Sequence, residues 1–103
     1  MTRMADLDRA HGLLVTLCED APAVSSATSA LMQAFNLVVE VHSPTRIHLP
    51  TERGYAERLV TLEHLLDGLA DSSTELSECL TLHDAADLVR EVRAIRPAPG
   101  ASR

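Results

Sequence analysis

The stretch YAERLVTLEHLLDGL, residues 55–69, decides the fold class of this 103-residue chain. Its apolar side chains recur at alternating spacings of four and three residues, which places them on one face of a helix. They are Tyr55, Leu59, Leu62, Leu66 and Leu69. This seam is typical of a helix in a bundle, and it is too short to predict a long coiled coil.

Two earlier segments show the same helical period. The first predicts a helix over residues 6–20, with Leu7, His11, Leu14 and Cys18 on one face. The second predicts a helix that begins near Pro22 and ends near Val41; its stripe consists of Val24, Ala27, Leu31, Ala34, Val38 and Val41. An alternative pairs the β-branched residues 37–41 with residues 46–49 as a β-hairpin, but an isolated hairpin is marginally stable. The unbroken stripe favours the helix, followed by a loop over residues 43–50.

The segment after residue 74 fits a single helix poorly. Leu76, Cys79 and Leu80 share one face, whereas Leu88 and Val92 lie roughly opposite. A break near Thr81 resolves this conflict, which predicts a short helix over residues 75–80 and a longer one over 82–96. We therefore predict an all-α fold, a small helical bundle of four main helices plus one short helix.

The length of the chain predicts a single domain over residues 1–96, followed by a disordered tail over 97–103. No segment approaches the roughly 20 apolar residues of a membrane span. The N-terminus carries acidic residues and no signal-peptide core, so we expect a cytoplasmic protein and no membrane partner.

Composition excludes several functions. The chain contains no lysine, which removes Schiff-base chemistry and a P-loop lysine. Its net charge of −6 disfavours nucleic acid as a partner. The one cluster of basic residues is Arg90, Arg93 and Arg96, which we interpret as cations that complement a helix C-terminus.

Side chains that could carry chemistry are few. His11 and Cys18 lie on one apolar face, and with Cys79 and His83 they form an alternative Cys2His2 zinc site. The predicted break at Thr81 separates Cys79 from His83, so buried hydrophobic cysteines and a core histidine are the better interpretation. A disulfide between the two cysteines is disfavoured in the cytoplasm. We expect no metal and no cofactor.

Neither a nucleophile elbow nor a Glu-x-x-His metal motif is present. Glu63 and Glu52 are interpreted as solvated-face residues. We therefore expect a protein that is not an enzyme.

More apolar residues are present than the predicted stripes require. Leu13, Met32, Val39, Val60 and Leu65 lie at or beyond the stripe margins, and Ile47 and Leu49 lie in the proline-bounded loop. Surplus apolar surface is typical of protein interfaces. The candidate contact residues are Val39, Ile47, Leu49, Tyr55 and Leu65.

These observations favour a regulatory or adaptor protein, a chaperone-like subunit included, that binds another protein through an apolar helical face. The excess of acidic over basic residues favours a partner with a basic surface, such as a DNA-binding protein that the chain would sequester. We also expect a homodimer. The competing hypothesis is a small metal- or ligand-binding bundle that uses the histidines and cysteines named above.

Overall fold

A computed structural model of the chain describes residues 3–21, 26–43, 50 and 54–94. It contains helices α1 (Arg3–Asp20), α2 (Ser26–Val41), α3 (Tyr55–Asp71) and α4 (Leu76–Ala94), and these ranges hold no strand. The prediction of an all-α bundle is thereby confirmed. The predicted tail, residues 97–103, lies outside the described residues.

The four helices occupy the corners of a square. α1 and α4 each contact α2 and α3, whereas α1 does not contact α4 and α2 does not contact α3 within the described ranges. Asp20 at the end of α1 pairs with Arg58 in the first turn of α3, so these two helices are antiparallel. His11 on α1 reaches His42, which follows the last residue of α2, so α1 and α2 are antiparallel too. α2 therefore ends, and α3 begins, at opposite ends of the bundle.

The core is built from leucine, alanine and valine contributed by all four helices. The largest fully buried side chains are Leu13, Leu14, Leu17, Leu31, Leu62, Leu66, Leu82, Val38 and Val89. Small residues on facing helices, such as Ala34 on α2 and Ala85 on α4, are fully buried and allow close helix packing. This core explains why the chain needs few aromatic residues.

The predicted break at Thr81 and the separate short helix over 75–80 are wrong, because α4 is one continuous helix. The two leucines that seemed to require a second buried face, Leu76 and Leu80, are exposed instead. The Thr81 hydroxyl donates a hydrogen bond to the Ser77 carbonyl (2.8 Å) inside the helix, so it does not cap a new one. One continuous helix can therefore contain both apolar faces, because the face with Leu76 and Leu80 is exposed to solvent.

The hairpin alternative is wrong for residues 37–41, which form the last turns of α2. Val38 is fully buried in the core, as the helical stripe predicts. Residues 44–49, which include the candidate contact residues Ile47 and Leu49, lie outside the described residues. The same holds for residues 22–25, where the sequence predicts the start of the second helix.

Candidate protein-binding surface

A shallow apolar groove runs between α1 and α2. It encloses about 320 Å³ and is lined by Val15, Cys18, Glu19, Met32, Phe35 and Asn36. Met32 is 57% exposed and Val15 is 40% exposed, which is high for apolar side chains beside a core. Cys18 and Phe35 form the floor, because both are half-buried and pack against the core. We call the surface formed by Val15, Cys18, Met32 and Phe35 the α1–α2 seam.

Helix geometry extends the seam along α2. Val39 lies one helical turn beyond Phe35 on the same side of α2, and it is half-buried. The candidate contact residue Val39 and the surplus residue Met32 therefore share one face. The sequence did not identify Val15 as a contact residue. Val15 lies at the edge of the apolar stripe of α1, and it lines a groove only because α2 packs beside it.

The chemistry of the seam is apolar. Burial, and secondly the charge of Glu19, raise the pKa of the Cys18 thiol. At neutral pH the thiol is therefore protonated and behaves as a small hydrophobic group. Glu19 and Asn36 place polar atoms at the rim of the groove. An apolar floor with a polar and acidic rim suits a protein ligand better than a small charged one.

The remaining candidate contact residues lie on α3. Leu65 and Tyr55 are half-buried and pack against the core. Burial is the main cause that raises the pKa of the Tyr55 hydroxyl, and this buried oxygen has no hydrogen-bond partner among the described residues. Because α2 and α3 lie at opposite corners, the structure does not bring Val39 into one surface with Tyr55 and Leu65. Leu13, expected at a stripe margin, belongs to the core.

A buried polar cluster lies where the N-terminal half of α1 meets the end of α2. His11 is 3% exposed, and its Nε2 lies 2.7 Å from the carbonyl oxygen of His42. Because a carbonyl only accepts, His11 carries a proton on Nε2 and donates there. Asp8 is also buried, and its Oδ1 lies 3.4 Å from Nε2 of His42. The His11 ring meets Phe35 edge-on, with ring centroids 5.4 Å apart. The cluster thus fixes the end of α2 against α1.

A second polar cluster joins α3 to α4. Glu63 is buried and accepts hydrogen bonds from Arg93 and from Nε of Arg90 (3.0 Å). Arg90 also donates to Asp87 (2.6 Å) and to Asp67 (3.1 Å). The interpretation of Glu63 as a solvated-face residue is therefore wrong. Arg90 and Arg93, two of the three clustered arginines, pair with carboxylates of the chain itself.

The alternative metal site is dispersed over the bundle. His11 contacts His42, Cys18 lines the α1–α2 seam, and His83 lies 3.9 Å from an Asp71 oxygen on α3. Cys79 is a free thiol on α4, which does not contact α1. Across the described ranges no three His, Cys, Asp or Glu side chains are grouped so that they could hold a metal ion. The structure therefore does not bring the four predicted ligands together.

The fold places the chain in the class of small all-α bundles. No protein-family model matches it, and neither the curated proteins nor the solved structures contain a significant match. Of the helices that the structure describes, none is both long enough and apolar enough to cross a membrane.

Proposed function

We propose that this chain is a non-enzymatic regulatory or adaptor protein that binds an amphipathic helix of another protein along the α1–α2 seam. The observation that carries the proposal is the α1–α2 seam itself, an apolar groove in which Met32 and Val15 are exposed beside the buried core. Helix-in-groove binding is a common use of such a surface, since apolar anchors at spacings of three and four residues fill it.

The charge of the chain indicates the chemistry of the partner. Glu19 lines the groove, Asp20 follows it, and the whole chain has a net charge of −6. A partner helix with basic residues beside its apolar stripe would be attracted and oriented by these carboxylates. A second copy of this chain would bring like charges to the same surface, which disfavours the homodimer as occupant of the seam.

The partner can be found by site-specific photo-crosslinking in the native cells. A photoreactive residue at Met32 should give a discrete adduct with one other protein, whereas the same residue at the exposed position Asp84 on α4 should not. The partner identified by mass spectrometry should then bind the purified chain. Its affinity should fall about tenfold in the double variant Val15→Gln, Met32→Gln.

The matched control is the double variant Leu76→Gln, Leu80→Gln, which removes two apolar side chains that are more exposed than Met32 and Val15 and lie on another face. It should leave the affinity for that partner unchanged. An adduct of the chain with itself would assign the seam to a homodimer and overturn the proposal. Absence of any adduct from Met32 would also refute it.

A further inference from the structure

A second apolar surface lies at the start of α4. Leu76 is 73% exposed and Leu80 is 54% exposed. The two side chains are one helical turn apart and point to the same side, away from the core residue Leu82. Grouped, exposed apolar side chains are typical of protein interaction surfaces.

An acidic groove lies on the adjoining side of α4. Neither leucine lines it, but Ser77, about one helical turn before Leu80, does. The groove encloses about 270 Å³ between the end of α2 and the start of α4, and it is lined by Glu40, Val41, Glu75, Ser77, Glu78 and Thr81. Three carboxylates therefore surround one depression: Glu40 on α2, Glu75 just before α4 and Glu78 in the first turn of α4. Glu40 and Glu75 have no ion-pair partner among the residues that the structure describes.

The surroundings reinforce the negative charge. From Asp71 to Val89, both included, the sequence contains five acidic residues and no arginine or lysine. The last turn of α2 contains Glu40 and no basic residue, although a helix C-terminus is stabilised by a cation. A positive group placed in this groove would compensate Glu40, Glu75 and the C-terminal end of α2 together.

We infer that Leu76, Leu80 and the adjoining acidic groove form a second docking surface, which binds a basic amphipathic segment of another protein. An arginine or lysine of that segment enters the groove, and its apolar side chains cover the two leucines. The segment differs from a second copy of this chain, whose like charge would be repelled. This inference goes beyond the proposed function, since α4 lies at the corner opposite α1 and the surface includes no residue of the α1–α2 seam.

A titration of the isotope-labelled full chain with a synthetic helical peptide tests this inference. The peptide carries leucines on one face and arginines beside them, and its control carries glutamate in place of every arginine. The arginine peptide should shift the amide signals of residues 40–41 and 75–81, and its affinity should fall as salt rises. The glutamate peptide should not bind at this surface.

Variants separate this surface from the seam. Leu76→Gln with Leu80→Gln, and Glu40→Gln with Glu75→Gln, should each weaken binding of the arginine peptide at this surface about tenfold. Val15→Gln with Met32→Gln should change the affinity of the arginine peptide for this surface by less than about twofold. Equal binding of both peptides, shifts confined to the seam, or no shifts at all would overturn the inference. None of these outcomes bears on the crosslinking result at Met32, so the two proposals can fail separately.

Discussion

At the scale of single residues, the chain combines well-placed core side chains with a few positions that are not optimal for stability. Gly68 is such a position, because it lies inside α3, is exposed, and has open space where a Cβ would project. Glycine in a helix interior loses more backbone entropy on folding than alanine does.

We predict that Gly68→Ala stabilises the protein by about 1 kcal/mol and raises Tm by roughly 4–8 °C. Thermal unfolding followed by circular dichroism measures the change. Gly54→Ala is the matched control: Gly54 is the N-cap of α3, outside the helix interior, and an added Cβ there would meet Glu57 at an ordinary 3.7 Å. Because alanine is a poorer N-cap than glycine, Gly54→Ala should give no stabilisation and a loss of up to about 1 kcal/mol. A destabilised Gly68→Ala would show that α3 is not regular at this residue.

At the scale of helices, the sequence predicts α3 well and α4 less well. The predicted apolar face of α3 is confirmed, because Leu59, Leu62, Leu66 and Leu69 are all buried. The predicted break in α4 was wrong because the start of this helix exposes leucines to solvent. Periodicity alone cannot distinguish a surface leucine from a core leucine. The pairing of Glu63 with Arg90 and Arg93 was equally beyond sequence reasoning, because it depends on how α3 and α4 pack.

The continuity of α4 can be tested at Thr81. Thr81→Pro should destabilise the protein by about 3 kcal/mol or more, since proline removes a hydrogen bond and clashes with the preceding turn of a helix. Thr81→Ala, which loses the hydroxyl bond to Ser77, should cost less than about 0.5 kcal/mol. Urea denaturation measures both. If the proline variant were as stable as the parent, a break between two helices would lie at this point.

The link between α3 and α4 predicts a dependence of stability on pH. Burial raises the pKa of the Glu63 carboxyl, but hydrogen bonds from Arg93 and Arg90 and their charges outweigh it, so the pKa lies below its ordinary value of 4.5. A lowered carboxyl pKa in the folded state stabilises the protein above pH 4.5, and this contribution is lost as pH falls through the folded-state pKa.

The free energy of unfolding should therefore decrease below pH 4.5 more steeply in the parent chain than in Glu63→Gln. At pH 7 the variant should be less stable by about 1 kcal/mol, a modest cost because both arginines are partly exposed. Urea unfolding at a series of pH values gives both quantities. Asp84→Gln, on the exposed face of α4, serves as the control. Parallel pH profiles for the parent chain and Glu63→Gln would contradict the assigned role of the arginines.

At the scale of the whole molecule, composition and periodicity establish the all-α class but not the arrangement of the helices. Which helices become neighbours depends on contacts between residues far apart in sequence, such as Asp20 with Arg58 and His11 with His42. The α1–α2 seam arises from this arrangement. Sequence reasoning identified Met32 and Val39 as surplus, yet it could not show that Val15 and Cys18 would adjoin them.

The square arrangement also predicts unequal local stability. α1 contacts its two neighbours less extensively than α4 contacts the same two helices. Native-state hydrogen exchange should therefore show opening of α1 at a lower free energy than opening of α4, with the core amides near Val89 among the most protected. Uniform protection across α1 and α4 would mean that the bundle opens only as a single unit.

One consequence of the antiparallel contacts concerns fusion proteins. α1 and α4 are each antiparallel to α3, so they run parallel, and Arg3 and Ala94 lie at opposite ends of the bundle. An 18-residue helix such as α1 is roughly 27 Å long. A domain attached at one end and a domain attached at the other would be held apart by about that length. In a circularly permuted chain, at least roughly eight extended residues would have to lie between Ala94 and Arg3.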